Sequence, residues 1–207
     1  MTRKNSKPNG SKRRQKSAPL QKGRQPLSSL RIIGGSMRGR KISFAAEEGL
    51  RPTLDRIRET LFNWLNADIA GTNCLDLFAG SGALGFESLS RGAASVTFVD
   101  ANCRVTANLK NNLAGLQIDQ ADVVTSSAED FLKNNQQKFD LVFLDPPFDK
   151  GFLPKILDNL AAHLSHDAMI YIEQEVSETE PSYSKQWQLL KSKKTSRFVY
   201  QLLRLNN

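Results

Sequence analysis

At 207 residues the chain is long enough for one domain with a sizeable core plus an extension. Hydrophobic residues make up 39% and mean hydropathy is −0.43; no apolar run approaches the roughly 20 residues of a bilayer-spanning helix, which excludes one. The net charge of +8 is unevenly placed, with +9 in residues 1–26, +4 in 27–58 and −5 in 59–207, so the front end is expected to meet a polyanion, RNA or DNA first.

Cys74 and Cys103 form no Cys-x-x-Cys pair, and His163 and His166 have no acidic or cysteine constellation around them. Buried reduced thiols are expected, with neither a disulfide nor a metal site, and a reducing cytoplasmic location follows as the default. The basic N-terminus is not followed by an apolar segment and does not read as a secretory signal.

In chain order, residues 1–26 are rich in Lys, Arg, Ser, Asn, Gly and Pro and are expected to be a disordered basic tail. Residues 27–50 read as a hairpin and loop: Leu30–Ile33 and Lys41–Phe44 flank Gly34-Gly35-Ser36-Met37-Arg38-Gly39, two short strands around a glycine-permitted turn. Arg31, Arg38, Arg40 and Lys41 decorate it. From Thr53, a plausible N-cap, the period becomes helical through Leu54, Ile57, Leu61, Trp64 or Leu65, and Ile69, giving a helix of about four turns. Arg51, Arg56 and Arg58 gather near its start, where free N–H groups also favour phosphate. Ion pairs with Asp55 and Glu59 are the structural alternative for at least one of them.

The rest of the domain, 51–207, alternates. Strands are expected at Asn73–Phe78, Ser95–Val99, Asp122–Thr125, Phe139–Leu144 and Ala168–Glu173. Helices are expected between them at Ala83–Ser90, Asn102–Leu116, Glu129–Asn134 and Phe152–Leu164. Such alternation argues an α/β fold with a parallel sheet covered on both faces. Trp187–Lys191 and Arg197–Leu205 have too short a connection for a crossover helix, so the sheet should end with one antiparallel strand.

Two loops at strand ends carry the chemistry. Gly80, Gly82 and Gly85 have the G-x-G-x-x-G spacing of a turn that lets a ligand sit against its backbone, and Asp100, closing the next strand, suits ribose hydroxyls. Asp76, four residues before Gly80, would repel a pyrophosphate and attract an ammonium or sulfonium group. Asp145-Pro146-Pro147-Phe148 follows the buried-looking strand Phe139–Leu144. Two prolines end that strand and stiffen the loop, which offers a carboxylate, proline carbonyls and an aromatic face, a set suited to a flat base bearing an amino group.

Asp76-x-Phe78-Ala79-Gly80-Ser81-Gly82-x-Leu84-Gly85, the acid closing the second core strand, and Asp145-Pro146-Pro147-Phe148 resemble the S-adenosylmethionine-dependent methyltransferases that act on exocyclic amino groups. Arg31-Ile32-Ile33-Gly34-Gly35, Arg38-Gly39-Arg40-Lys41 and Arg51-Pro52-Thr53-x-Asp55-Arg56-x-Arg58-Glu59-Thr60-Leu61-Phe62-Asn63-Trp64 resemble the bacterial 16S ribosomal RNA guanine-N2 methyltransferases of the RsmD type, over about residues 30–205. The resemblance implies a Rossmann-like class I fold with a mostly parallel seven-stranded sheet. It implies S-adenosyl-L-methionine held by Asp76, Phe78, Ala79, Gly80, Ser81, Gly82, Asp100, Ala101, Ser127 and Ala128, with no metal. It implies a guanine held by Asp145, Pro146, Pro147 and Phe148, and 16S rRNA, within the small ribosomal subunit, on Arg31, Arg38, Arg40, Lys41, Arg51, Arg56 and Arg58. Asp100 and Ser127 stand where relatives often have Glu and Asp. A monomer is the default, and adenine-N6 DNA methylation and a non-catalytic RNA-binding assembly role are the alternatives.

Overall fold

The computed structural model describes Met1 and residues 27–45, 55–146, 152–176 and 185–206. Most of the basic tail, the loop to Thr53, Arg51, Pro147 and Phe148 lie outside the described residues.

The front hairpin pairs β1 (Leu27–Arg31) with β2 (Lys41–Ala45), antiparallel, with Arg31 opposite Lys41. Its first strand ends two residues earlier than the sequence suggested, and Ile32 N–H instead reaches back to the Arg40 carbonyl at 2.9 Å. Leu30, Ile32, Ile42 and Phe44 are buried in the same core as the sheet. Helix α1 (Asp55–Trp64) is ten residues, just under three turns rather than four. A turn over residues 65–68 follows it, held by Leu65 N–H to Leu61 O at 3.0 Å.

A seven-stranded sheet then builds from β3 (Asn73–Asp76), α2 (Ala83–Ser90), β4 (Ser95–Asp100), α3 (Cys103–Leu116), β5 (Ala121–Thr125), α4 (Ala128–Asn134), β6 (Phe139–Leu144), α5 (Phe152–Leu160), β7 (Leu164–Glu175), β8 (Trp187–Lys194) and β9 (Phe198–Leu205). The order is β5-β4-β3-β6-β7-β9-β8, all parallel except β9, which runs antiparallel to both neighbours. Composition explains why β9 inserts between β7 and β8. Val199 to Leu203 are buried without interruption, as a two-sided interior strand requires, whereas β8 carries Lys191, Lys193 and Lys194, which suit an edge. The helix expected to reach Leu164 stops at Leu160, and a 3-10 turn over Ala161–His163 leads directly into β7. The strand shifts register between Leu164 and Met169, around Asp167 at φ 61°.

Alternation sends Cys74, Phe98, Phe143, Tyr171 and Tyr200 to the face covered by α1, α2, α3 and the hairpin. Leu75, Val99, Val142, Ile170 and Leu203 face the other way, under α4 and α5. Cys74 is buried, which pushes its thiol up to about 12 and leaves it inert; Cys103, contrary to expectation, is exposed.

Candidate active site and ligand cradle

The chain leaves β3 to build β4 and β5 on one side, then returns to lay β6 on the other. The carboxyl ends of β3 and β6 therefore flank the topological switch point, where open α/β sheets hold ligands. Asp76 ends β3 and Asp145 follows β6.

The glycine turn is built as the spacing requires. Gly80 and Gly82 have φ of 50° and 77°, and a Cβ on Gly82 would meet Leu109 and Phe86 at 2.6 to 2.8 Å. Gly82 N–H donates to Ala79 O at 2.7 Å, and Ala79 N–H to Val99 O at 2.9 Å, which pins the turn to β4. Asp100 closes that strand and accepts from Gly80 N–H at 3.0 Å and Asn102 N–H at 2.8 Å. Phe78, Ala79, Ser81, Gly82 and Asp100 are thus gathered round one turn, with Ala101 exposed beside it. Ser126 N–H donates to Asp100 O at 3.1 Å, which brings Ser127 and Ala128 to the same rim. The Ser127 hydroxyl is committed to capping α4, accepting from Asp130 N–H at 3.1 Å and donating to the Asp130 carboxylate at 2.9 Å.

Asp76 is buried, and its carboxylate accepts from Gly85 N–H at 3.2 Å. Burial pushes it up to about 7; the nearby Asp145 and Asp100 charges push the same way, against the Gly85 bond. Burial also raises the half-buried Asp145, with Pro146 half-buried beside it. A carboxyl crowded in this way is favoured in its ionised form by a neighbouring cation. The glycine turn, with no room for a Cβ at Gly82, and the acids beside it fit a ligand that carries an ammonium and a sulfonium.

The expected RNA contacts divide. Arg31, Arg38, Arg40, Lys41 and Arg56 are exposed. The hairpin turn docks on the far end of α2: Ser36 N–H meets Ser90 O at 2.7 Å and Met37 N–H meets Ser90 Oγ at 2.9 Å. Arg38 and Arg40 therefore stand a helix length, about 12 Å, from the glycine turn. Arg58 is a correction. It is fully buried, bonded to Asp55 at 2.6 Å and to Arg31 O at 3.0 Å, with Glu87 at 3.8 Å, so it cannot touch RNA in this fold. Glu87, also buried, accepts from Ile33 and Gly34 N–H, each at 2.8 Å, and from Arg91 at 2.7 Å. This part of the front motif docks the hairpin onto the core.

Two features escaped the sequence reading. Glu173, near the end of β7, stands beside Asp145, because Leu144 of β6 pairs with Ile172 of β7 and the next residue of each follows at the same level. Its signal was an acid at the end of a buried strand, the same that marked Asp100. The turn between β8 and β9 lies on the same rim, since Phe198 pairs with Glu175 and Lys194 with Val199, and it carries exposed Lys194 and Arg197.

The family model described as conserved hypothetical protein 95 matches residues 30–204. The chain is 45% identical over 175 residues to the ribosomal RNA small subunit methyltransferase D of Escherichia coli K12, covering 84% of this chain and 88% of that protein. It is 47% identical over 180 residues to the protein of the same name from Haemophilus influenzae, covering 84% and 92%. A solved Escherichia coli structure, described as a candidate methyltransferase, superposes with a TM-score of 0.80 at 43% identity over 86% of this chain and 98% of that one. The α/β sheet is the one the alternating pattern led us to expect and the fold is the Rossmann-like methyltransferase fold that the resemblance implied; the chain belongs to the conserved hypothetical protein 95 family, and it is similar to ribosomal RNA small subunit methyltransferase D along most of its length.

Proposed function

We propose that this protein transfers a methyl group from S-adenosyl-L-methionine to the exocyclic N2 amino group of a guanine in 16S ribosomal RNA, within the small ribosomal subunit in the cytoplasm. The observation that carries the reading is the pairing of Asp76, beside a ligand cradle, with Asp145 across the switch point. Relatives named for small-subunit ribosomal RNA methylation support the polymer. They weigh against DNA adenine methylation.

The sulfonium of the cofactor supplies an activated methyl group. Asp76 and the Gly80–Gly82 turn bind the amino-acid end, and Asp100 binds the ribose. The guanine amino group is a poor nucleophile because its lone pair is delocalised into the ring. Asp145 and the Pro146 carbonyl accept its N–H bonds and aim the lone pair, while Phe148 stacks on the base. As the nitrogen turns ammonium-like, the Asp145 carboxylate stabilises the positive charge. A guanine buried in a duplex cannot reach this rim, so the substrate nucleotide is unpaired or flipped.

The test compares methylated guanosines in 16S rRNA from cells with and without the gene. One N2-methylguanosine should vanish with the gene and return when purified protein and S-adenosylmethionine are added to the deficient subunits. An unchanged map, with no transfer in vitro, rejects the proposal.

A further inference from the structure

β6 and β7 pair Phe143 with Tyr171 and Leu144 with Ile172, so the next residues, Asp145 just past β6 and Glu173 still within β7, stand at the same level of neighbouring parallel strands. Phe143 and Tyr171 both belong to the core under α1 to α3, and alternation returns Asp145 and Glu173 to that face. Across β9, Glu173 pairs with Tyr200. Asp100, Asp145 and Glu173 thus stand near the carboxyl ends of three parallel strands of the sheet on one face, with Asp76 one step deeper on β3. Among the described residues no three acids, histidines or cysteines are grouped to hold a metal ion.

Glu173 is only 7% exposed, and its Oε2 is buried with no partner in hydrogen-bond geometry among the described residues; the hydroxyl of Tyr171, two residues earlier on the same face and near enough to interact with the Glu173 carboxyl, is likewise without one. Leaving a buried polar atom unpaired costs about 1–3 kcal/mol, and more for a charged one. Folds tolerate such atoms where a ligand satisfies them. Asp145 already supplies the acceptor for an exocyclic amino group, so the second carboxyl faces whatever lies beside that group on the base.

We infer that Glu173 reads the Watson–Crick edge of the target base, its carboxylate accepting the N1–H of guanine while Asp145 accepts from N2. The inference rests on the guanine-N2 reading above and names what makes the site selective. Guanine presents N1–H and the N2 amino group as adjacent donors, and two neighbouring carboxyls match them. Adenine places the N1 lone pair beside its amino group, and cytosine places N3 there. Against the ionised Glu173 either lone pair would face a carboxylate oxygen with no proton between them. Burial and the neighbouring Asp145 charge raise the Glu173 carboxyl to about 8, and its protonated form would donate to such a lone pair, so the discrimination belongs to the ionised form. A site built to bond an N–H rejects the analogue that lacks it, because its own buried acceptor is left unpaired.

The test uses the full chain and small subunits whose 16S rRNA carries either guanine or 2-aminopurine at the methylated position. 2-Aminopurine keeps the C2 amino group but has a lone pair at N1. The wild-type protein should prefer guanine strongly. Glu173→Gln, whose amide can donate to N1, should lose roughly 10- to 100-fold on guanine and narrow or reverse the preference, with S-adenosylmethionine affinity unchanged by calorimetry. Tyr171→Phe should keep the preference. If Glu173→Gln keeps the wild-type preference, whatever its absolute rate, the carboxyl serves only to hold Tyr171 and the assignment is overturned. Should Glu173→Gln fail to fold, Glu173→Asp, with its carboxyl withdrawn by one methylene, should discriminate less against 2-aminopurine, and undiminished discrimination overturns the assignment equally. A wild-type protein that forms no N2-methylguanosine overturns the guanine-N2 reading itself, a result distinct from an unaltered preference in the variant.

Discussion

Asp76 is a carboxyl that folding makes harder to ionise, and that fact has a sign. Its value rises from 3.8 to about 7 on burial, so between those values the folded chain holds a proton that the unfolded chain has released. Stability therefore falls as pH rises through that window. The melting temperature of the ligand-free protein should drop between about pH 4 and pH 7, and Asp76→Asn should make that drop smaller, as read by calorimetry. A bound cation reverses the preference by favouring the ionised form. S-Adenosylmethionine affinity should therefore tighten as pH rises through about 7, and the ligand should recover most of the stability lost at pH 8. An affinity independent of pH in this range would remove Asp76 from the cofactor site. Asp145 has a different duty. Asp145→Ala should reduce single-turnover methyl transfer by at least 100- to 1,000-fold, the order seen when a preorganised group aimed at developing charge is removed, with cofactor affinity nearly unchanged. Normal turnover in that variant would sink its assigned role.

Among elements, the hairpin and α1 depend on one carboxylate. Glu87 on α2 accepts from Ile33 and Gly34 N–H and faces the buried Arg58 and the half-buried Arg91 guanidinium groups. Glu87→Ala should destabilise the protein by about 3–5 kcal/mol, because a buried cation is left with too few partners; urea unfolding measures it, and a loss below 1 kcal/mol would show that Asp55 and the Arg31 carbonyl suffice. Arg58 also shows where legibility ended. The helical stripe was read through Leu54, Ile57, Leu61, Trp64 or Leu65, and Ile69; Leu61, Leu65 and Ile69 are buried as read, but the buried side also takes in Arg58 and Phe62. A charged residue inside the buried arc was therefore placed on the surface, since only the three-dimensional position of Glu87 explains its burial. The alternating core was legible because each strand and helix carries its own period. The antiparallel C-terminal strand was legible because Lys194 to Arg197 is too short for a crossover. The position of β9 between β7 and β8 rests on comparing the burial of two strands. The glycine turn could be read because its residues are contiguous, whereas Glu173 meets Asp145 only through strand pairing.

The whole molecule faces an electrostatic conflict, because a polyanion must approach a rim lined by Asp100, Asp76, Asp145 and Glu173. The cationic end of the cofactor partly neutralises that rim, so RNA affinity should be higher with S-adenosylmethionine bound, and cofactor affinity higher with RNA bound by the same factor. Two groups of exposed basic residues lie at different distances from that rim. Lys194 and Arg197 stand on the rim at the β8–β9 turn, and Arg38 and Arg40 stand at the far end of α2. Both surfaces should contribute counterion release. Reversing either pair to Glu should lower RNA affinity and make the slope of log K against log salt shallower, by roughly 0.7 to 0.9 for each phosphate no longer neutralised. Their kinetic effects should differ. The far pair only holds the polymer, so Arg38→Glu with Arg40→Glu should raise the RNA concentration needed for half-maximal rate and leave kcat intact. The rim pair holds the nucleotides beside the flipped base, so Lys194→Glu with Arg197→Glu should also lower kcat at saturating RNA. A salt slope unchanged by either pair removes that surface from the interface, and equal effects on kcat would mean that distance from the rim does not separate holding from positioning.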